Sequence, residues 1–263
     1  MPTPITIVDA FTDKPFSGNP AAVCVLEGER DRLWMQQVAR EMNLSETAFV
    51  LRRGEHWALR WFTPTVEVDL CGHATLATAH VLWDTDLAPP DLALSFRTRS
   101  GELHAKREGS RIWLDFPALI AAWADAPPLL TDALGARPVA VAKYTFDYLV
   151  ELDSEAAVRD LTPDIAMLAG VQARGVVVTA VATTPGFDFV SRFFAPQSGV
   201  PEDPVTGSAH CALAPYWAER LGKTRMLAYQ ASARGGIVEV EVAGDRVMLG
   251  GKAVTVVEGT MRA

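Results

Sequence analysis

The chain has 263 residues, with 24 lysines and arginines against 32 aspartates and glutamates, which gives a formal net charge of −8. Hydrophobic residues make up 49% of it and charged residues 21%, a composition that excludes a disordered or fibrous protein. The acidic balance argues against binding to nucleic acid, because there is no basic stripe to contact phosphates. A small organic substrate is the better expectation.

The N-terminal segment has neither the basic region nor the apolar core of a signal peptide, and no apolar run reaches about 18 residues, the length of a membrane-spanning helix. The cysteines are odd in number and make no disulfide framework; they are Cys24, Cys71 and Cys211. We therefore expect a cytoplasmic protein that does not associate with a membrane.

Short runs rich in β-branched and aromatic residues predict strands along the whole chain. In the first half these runs are Ile5–Ala10, Ala21–Leu26, Thr47–Arg52, Trp57–Phe62, Leu92–Thr98, Leu103–Glu108 and Arg111–Phe116. In the second half they are Val139–Ala142, Tyr148–Glu151, Val176–Ala182, Asp188–Phe194, Val238–Val242, Arg246–Gly250 and Lys252–Glu258. An apolar face predicts a helix over Asp31–Met42, and shorter helices are expected at Glu155–Val158 and Pro163–Ala169.

Two further helical segments are apolar around most of their circumference, a pattern typical of a buried helix. They are His73–Asp84 and Ser208–Leu221. Their positions predict a mostly β domain built around one buried helix, occurring twice. The segment Pro117–Pro128, rich in proline and alanine, is the natural linker between the two halves.

A repeated motif precedes each buried helix: an arginine, two aromatic residues and a proline, then an aspartate, then a glycine that opens the helix. The first copy is Arg60–Pro64, Asp69 and Gly72–Ala74, and the second is Arg192–Pro196, Asp203 and Gly207–Ala209. Proline and glycine are 8 residues apart in the first copy and 11 in the second, which indicates a diverged duplication. We predict two domains, 1–116 and 117–251, with a last strand, 252–263, that packs back onto the first.

The glycine that opens each helix lets the backbone approach a ligand closely, and the free N–H groups of a first helical turn attract anions. These glycines are Gly72 and Gly207; His73 and Ser208 follow them, and Asp203 lies upstream of the second. Each of the three side chains also has a purely structural explanation, as a helix cap or a buried histidine. Their matching places in a duplicated motif favour a proton-transfer cleft between the domains.

Glu46 lies where a predicted helix ends and a strand begins, among residues expected to be buried. A carboxyl group with apolar neighbours suits general acid–base catalysis, whereas an exposed glutamate in a turn would have no such role. The pattern alone leaves these two alternatives open.

Several blocks of the sequence form a specific combination, namely Asp9–Thr12, Gly18–Val23, Asn43–Phe49, Phe62–Pro64, Cys71–Thr75, Arg192–Pro196 and Glu202–His210. Together they resemble the PhzF-like family of phenazine biosynthesis proteins, whose fold is that of diaminopimelate epimerase. The predicted strand Lys252–Glu258 fits the usual end of the family.

The resemblance implies an α+β protein of two pseudo-symmetric domains, each a curved, mostly antiparallel β-sheet or barrel around a central helix, with the active site between them. It also implies a homodimer. In the family's isomerase a glutamate moves a proton between carbons of a cyclohexadiene carboxylic acid, without a metal or an organic cofactor, and Glu46 matches that glutamate. The residues expected to position the substrate and assist the transfer are His73, Asp203 and Ser208. Those expected to bind it are Gly72, Gly207, Asn19 and Cys71.

A two-cysteine racemase, the mechanism of diaminopimelate epimerase itself, is disfavoured. Cys71 stands at the first cysteine position, but Thr206 stands at the second, and a hydroxyl cannot replace a thiolate as a base. We interpret Cys71 as a small buried residue rather than an auxiliary acid.

Three other functions are alternatives. A serine hydrolase would use Ser208, His73 and Asp203, although the G-x-S-x-G motif is missing around the serine. A metal site would use two pairs of residues near the helix starts, Cys71 with His73 and His210 with Cys211. Their spacing matches no common metal-binding motif, so we expect no metal. A non-catalytic binding protein would share the fold.

The net charge also limits the isomerase mechanism. A chain of net charge −8 has no general attraction for an anionic substrate. We therefore expect a substrate carboxylate to be held locally, by the two helix N-termini and His73.

Overall fold

The computed structural model describes residues 2–262, which form two compact units. The first contains the residues up to Phe116 together with those from Gly250 onward, and the second is Pro117–Leu249. None of the described helices has the length and the apolar character needed to cross a membrane.

The first unit is a mixed sheet with two long helices. Its elements are β1 (Thr3–Ala10), β2 (Asn19–Leu26), α1 (Arg32–Met42), β3 (Glu46–Arg53), β4 (His56–Phe62), β5 (Glu67–Val68), α2 (Gly72–Asp84), β6 (Leu94–Thr98), β7 (Gly101–Glu108) and β8 (Arg111–Pro117). β2 is parallel to β3, and β4 is parallel to β6, with α1 and α2 in the respective connections. The pairs β1–β2, β3–β4, β4–β5, β6–β7 and β7–β8 are antiparallel.

The second unit repeats this order of strand pairs. Its elements are β9 (Ala122–Trp123), α3 (Leu130–Leu134), β10 (Ala140–Tyr144), β11 (Asp147–Glu151), α4 (Glu155–Arg159), α5 (Ile165–Leu168), β12 (Gly175–Val181), β13 (Phe189–Ala195), a 3₁₀ turn (Pro196–Ser198), β14 (Val200–Asp203), α6 (Gly207–Leu221), β15 (Arg225–Gln230) and β16 (Gly236–Ala243), followed by β17 (Arg246–Gly251) at the boundary. The parallel pairs are β11–β12 and β13–β15. The antiparallel pairs include β10–β11, β12–β13, β13–β14 and β15–β16.

The last strand, β18 (Ala253–Met261), is antiparallel to β1 and so completes the sheet of the first unit. It begins one residue after the predicted start at Lys252 and extends three residues beyond Glu258.

Both buried helices that the sequence predicts are present. Eleven of the 13 residues of α2 are buried, and the helix packs against β1, β2, β3 and β18. Nine of the 15 residues of α6 are buried, and this helix packs against β15 and β16. Each helix begins at the motif glycine, Gly72 or Gly207, one residue earlier than expected. In each unit, therefore, the sheet positions the start of one buried helix.

The apolar core of each unit also includes smaller helices on the sheet. In the first unit Met35 and Val38 of α1 pack with Phe49 of β3. In the second unit Leu130 of α3 and Val158 of α4 belong to one core cluster with strand residues. Of these helices, α1 and α4 lie in the connections between parallel strands, and α3 precedes β10.

The structure contains elements that the sequence pattern did not predict, notably β15 and α3. In β15 the inward-facing residues are Met226, Ala228 and Gln230, so the strand lacks the β-branched residues that usually identify one. The expected linker Pro117–Pro128 contains β9, whose Trp123 pairs with Ala142 of β10. Backbone pairing overrides the proline-rich composition there.

Candidate active site

Asn19, Glu46 and His73 come together at one edge of the first sheet. Asn19 and Glu46 are the first residues of β2 and β3, and because these strands are parallel both begin at the same edge. His73 is the second residue of α2, and Cys71 is the N-cap of that helix. Four residues that the sequence assigned to the site, distant along the chain, are thus neighbours.

Both ring nitrogens of His73 have polar neighbours. Nδ1 lies 3.2 Å from Nδ2 of Asn19 and 3.5 Å from Sγ of Cys71. An amide NH₂ can only donate, so Nδ1 accepts and the proton of a neutral ring is on Nε2. Nε2 lies 3.2 Å from Oε2 of Glu46. The imidazole N–H therefore faces the Glu46 carboxylate.

Burial determines the charge of His73. The residue is 3% exposed, and the loss of hydration lowers the pKa of its imidazole from 6.5 to about 3. His73 is consequently neutral at pH 7. Its neutral ring lies 3.2 Å from Oε2 of Glu46, and it does not supply the positive charge that an acidic chain would need to attract a carboxylate.

Glu46 is the part of this group that a substrate can reach. Its side chain is 18% exposed, whereas that of His73 is 4% exposed. A carboxylate held by a neutral imidazole N–H can accept a proton and return it, which is the chemistry of a general base and acid. The geometry assigns the proton-moving role to Glu46 and a supporting role to His73.

The same three side chains meet one criterion for a metal centre, because ligand atoms of Glu46, Cys71 and His73 lie within 4.8 Å of one another. However, the thiol and the carboxylate are next to opposite nitrogens of the imidazole ring. A single ion would need all three ligand atoms around one point. The three groups thus lie in a row along the imidazole ring, with the thiol at Nδ1 and the carboxylate near Nε2.

In the second unit, the loop that enters α6 is fixed around Asp203 and Thr206. The Thr206 hydroxyl donates to Oδ2 of Asp203 over 2.5 Å. The fully buried Gln230 accepts from the backbone N–H of Thr206 and donates to the carbonyl oxygen of Asp203, both at 2.8 Å. Thr206 thus supports Asp203 and has no thiol chemistry to offer, consistent with the argument against a two-cysteine racemase.

Ser208, the second residue of α6, has a partner that the sequence did not predict. Nη2 of Arg174 donates to Oγ of Ser208 over 3.3 Å. Nε of the same guanidinium donates to Oδ1 of the buried Asp147 at 2.8 Å, and Nη2 also contacts Oδ2. The second unit therefore has a cationic side chain next to the residue expected to position the substrate.

The two buried helices differ from the other capped helices in how they begin. The N-cap side chains of α1, α4 and α5, which are Asp31, Ser154 and Asp164, accept hydrogen bonds from the first turn. In the described part of the chain, neither Cys71 nor Thr206 does so for α2 or α6. The first-turn N–H groups at Gly72 and Gly207 are therefore not occupied by an N-cap side chain, as backbone donors to a ligand require.

Three other buried titratable groups, on α6 and on β2, are structural. The Nδ1–H of His210 donates to the carbonyl oxygen of Thr206 at 2.8 Å, and burial lowers the pKa of this imidazole to about 4. Burial raises the pKa of the Cys24 and Cys211 thiols to about 12, so neither is a thiolate at neutral pH. His210 is thus engaged through Nδ1 by the backbone, and Cys211 is a neutral buried thiol.

The duplicated motif also builds the same ion pair twice. In the first unit Arg60 donates to both carboxylate oxygens of Glu67, at 2.7 and 3.0 Å. In the second unit Arg192 donates to both oxygens of Glu202, at 2.8 and 3.0 Å. Each arginine lies over a phenylalanine of its own strand, Phe62 or Phe194. We name these two arrangements the arginine clamps.

A second correspondence explains why Arg174 and Asp147 were missed. Asn19 and Asp147 are the first residues of the equivalent strands β2 and β11, and both are fully buried. Asn19 contacts the second residue of α2 directly, whereas Asp147 reaches the second residue of α6 through Arg174. The short sequence motifs include neither Asp147 nor Arg174. Their equivalence to Asn19 is visible only when the strands of the two units are aligned.

Comparison with known proteins places these features in context. A family model described as phenazine biosynthesis-like protein matches residues 8–259. An uncharacterized isomerase of Halalkalibacterium halodurans is 52% identical over 262 residues, which cover 99% of each chain. The crystal structure of a protein of the phenazine biosynthesis PhzF family from Enterococcus faecalis is 43% identical, covers 100% of both chains and superposes with a TM-score of 0.95.

A more distant structure shows the fold alone. A hydroxyproline epimerase from Agrobacterium vitis is 11% identical, with 99% of this chain and 92% of that chain covered and a TM-score of 0.69. The α+β fold of the diaminopimelate epimerase type, with a buried helix in each unit, is therefore confirmed.

Proposed function

Since the chain belongs to the phenazine biosynthesis-like protein family, we propose that it is an isomerase that moves a proton within a small carboxylate-bearing substrate, without a cofactor. The observation that carries this proposal is the contact between Glu46 and the neutral imidazole of His73, 3.2 Å apart. The names of relatives such as the Halalkalibacterium halodurans protein support an isomerase kind of function.

In the proposed reaction, the Glu46 carboxylate takes a proton from a carbon made acidic by the substrate's electron-withdrawing carboxylate. The electron pair moves along the unsaturated system, and the protonated Glu46 returns the proton to another carbon. The N–H of His73 stabilises the glutamate while it is charged. No atoms are gained or lost, and the substrate and the product are isomers.

The remaining predicted residues are assigned to binding and assistance. We assign Asp203 and Ser208 to substrate positioning, and the backbone N–H groups at Gly72 and Gly207 to hydrogen bonds with the charge that develops on the substrate. Cys71 supports Nδ1 of His73 together with Asn19. Hence Cys71→Ala should retain most of the activity.

The test is proton exchange with solvent. The protein is incubated in D₂O with a panel of small unsaturated cyclic carboxylic acids, and deuterium incorporation is followed by ¹H NMR. We expect the native protein to incorporate deuterium into at least one acid, and Glu46→Gln to incorporate none while still binding that acid, because an amide cannot carry the proton.

Glu41→Gln is the matched control, since Glu41 is an exposed glutamate at the end of α1 in the same unit. It should exchange at the native rate. Equal exchange rates in Glu46→Gln and the native protein would overturn the proposal, and so would the absence of exchange into every acid that the native protein binds.

A serine hydrolase is less well supported. The partner that the structure gives to the Ser208 hydroxyl is Arg174, and a guanidinium cannot act as a base at neutral pH. In the same unit His210 uses Nδ1 on a backbone carbonyl. Labelling of Ser208 by an active-site serine reagent would be needed to reopen this alternative.

A further inference from the structure

Arg174 lies next to the start of α6, and a buried acid, Asp147 of β11, holds it in place. It precedes β12, and its guanidinium donates through Nε and Nη2 to the two oxygens of Asp147, a residue with no exposed surface. A bidentate pair with a buried carboxylate fixes both the position and the plane of a guanidinium. The plane also lies against the Phe193 ring, 5.9 Å from its centroid. Arg174 is therefore preorganised.

This contact determines the direction of the Ser208 hydroxyl. A guanidinium has no acceptor, so the hydrogen bond of 3.3 Å between Nη2 and Ser208 Oγ has the serine oxygen as acceptor. The hydroxyl proton of Ser208 is then free to donate to a third group. Arg174 thus orients Ser208 as a hydrogen-bond donor.

One edge of the guanidinium is available to a ligand. In residues 2–262 no acceptor is within hydrogen-bond distance of Nη1, and the Arg174 side chain is 44% exposed. Nη1 and Nη2 belong to the same planar group, so an anion that meets the Ser208 hydroxyl is also within reach of Nη1. Two donors on rigid supports converge there.

The charged groups around the Arg174 guanidinium are two acids, Asp147 and Asp203. The hydrogen bond and charge of Asp147 raise the pKa of Arg174, and the charges of Tyr144 and Asp203 raise it further. Arg174 is thus the cation that offsets Asp147 and Asp203. An anion that binds there experiences their repulsion as well as the attraction of the guanidinium.

We propose that Arg174 and Ser208 together bind the carboxylate of the substrate, with Arg174 as the positioning residue for the serine hydroxyl. The assignment rests on the proposed function for the identity of the substrate. It adds Arg174 and the Ser208 hydroxyl to the groups expected from the sequence, which were the two helix N-termini and His73.

The experiment measures the binding of benzoate, used as a simple carboxylate probe. The full chain, labelled with ¹⁵N, is titrated with sodium benzoate, and the backbone amide shifts of Gly207 and Ser208 are followed by NMR. In Asp147→Asn one repelling charge is gone, but the new amide NH₂ group faces Nη2, so the bidentate hold on the guanidinium is lost as well. The affinity of this variant is therefore measured as the reference for the double variant described next.

The neutral pair Asp147→Asn/Arg174→Gln removes the cation without leaving a buried charge unpaired. It should weaken benzoate binding about tenfold or more, because a charge-assisted hydrogen bond is lost. Arg174→Lys, which keeps the charge but not the planar fork, should give an intermediate affinity.

Arg225→Gln is the matched control. Arg225 is a half-exposed arginine of the same unit that is paired with Glu239 at 2.5 Å, and its replacement should not change the affinity for benzoate. An affinity in the double variant equal to that of Asp147→Asn would overturn the assignment. If the double variant does not fold, Arg174→Lys decides, since an affinity equal to that of the native protein would overturn the assignment as well.

Benzoate binding requires no turnover, so the outcome is separable from that of the isomerase test. Arg174-dependent binding without deuterium exchange would refute the proposed function and leave the anion site in place. Normal exchange with unchanged benzoate affinity in the variants would refute the anion site alone.

Discussion

The buried amide of Asn19 sets which nitrogen of His73 carries the proton, and therefore what Glu46 meets. In the native protein Nδ1 accepts from Asn19, so Nε2–H faces the carboxylate. In Asn19→Asp an acceptor replaces the donor and moves the proton to Nδ1, which turns a lone pair towards Glu46. We expect isomerase activity to fall roughly 10- to 100-fold, as for other changes in the partners of active-site groups.

The ¹⁵N shifts of the His73 imidazole provide a readout that a general loss of stability would not move. They should indicate an Nε2–H tautomer in the native protein and an Nδ1–H or doubly protonated ring in Asn19→Asp. Asn43→Asp, at the exposed C-cap of α1, is the control and should leave both the shifts and the activity unchanged. An Nδ1–H tautomer in the native protein would contradict this account.

Sequence patterns identified some of these residues and not others for a physical reason. His73 and Ser208 follow helix-opening glycines, so motif and position pointed to them directly. Glu46 and Asn19 begin parallel strands, and only the family resemblance assigned their roles. Arg174 lies in a loop 34 residues before Ser208, and its contact exists only through the pairing of strands that bring it there.

At the scale of elements, the arginine clamps hold the connection between a strand and a buried helix, and they differ in burial. The Arg192 side chain is 12% exposed and also donates to backbone carbonyls, including that of Leu161 at 2.6 Å. The Arg60 side chain is 34% exposed. We expect Arg192→Gln to lower the free energy of unfolding by about 3 kcal/mol and Arg60→Gln by about 1 kcal/mol. The buried Glu67 keeps Arg32 and Arg99 as partners, whereas the backbone carbonyls that Arg192 binds lose their donor.

Urea denaturation of the two variants and the native protein tests this order. Arg53→Gln serves as the control, since Arg53 and its ion-pair partner Glu29 are both substantially exposed and such surface pairs contribute little. Equal losses of stability for Arg60→Gln and Arg192→Gln would contradict this expectation. They would show that the backbone contacts of Arg192 add nothing to the ion pair with glutamate.

Elements were predictable from sequence to the extent that burial leaves a pattern. Helices α2 and α6 are apolar on nearly all sides, so their burial could be inferred without the sheet. Strand β15 places Met226, Ala228 and Gln230 inward, and Gln230 is there to hold the loop around Asp203 and Thr206. Because the inward-facing Gln230 is polar, the apolar alternation of β15 is interrupted, and the sequence pattern does not predict the strand.

For the molecule as a whole, the repeated pairing order means that each unit encloses one neutral histidine on its buried helix. The pKa of His73 is lowered to about 3 and that of His210 to about 4, in both cases mainly by burial. In the unfolded chain both return to about 6.5. Between these values the unfolded chain binds more protons than the folded one.

Stability should therefore fall as the pH decreases below about 6.5, by about 1.4 kcal/mol per pH unit for each of the two histidines. The stabilising contribution of a carboxyl group with a lowered pKa, such as Glu67, is lost only below its ordinary value of 4.5. The window from pH 6.5 to 5 thus reports on histidines, with a smaller share from the partly buried His80, whose pKa is also lowered by burial.

The free energy of unfolding in urea at pH 7.5, 6.0 and 5.0 measures this slope. His210→Asn keeps a donor for the Thr206 carbonyl, so we expect it to reduce the acid-side slope by about 1.4 kcal/mol per pH unit even if stability at pH 7.5 changes. His104→Gln, at an exposed position of β7, should leave the slope as it is. A native stability that is flat from pH 7.5 to 5.0 would contradict this account, because it would mean that the folded and unfolded chains bind the same number of protons and that burial does not lower the pKa of either histidine. His73 would then gain its proton near pH 6.5, and it would be a cation next to Glu46 over most of this pH range.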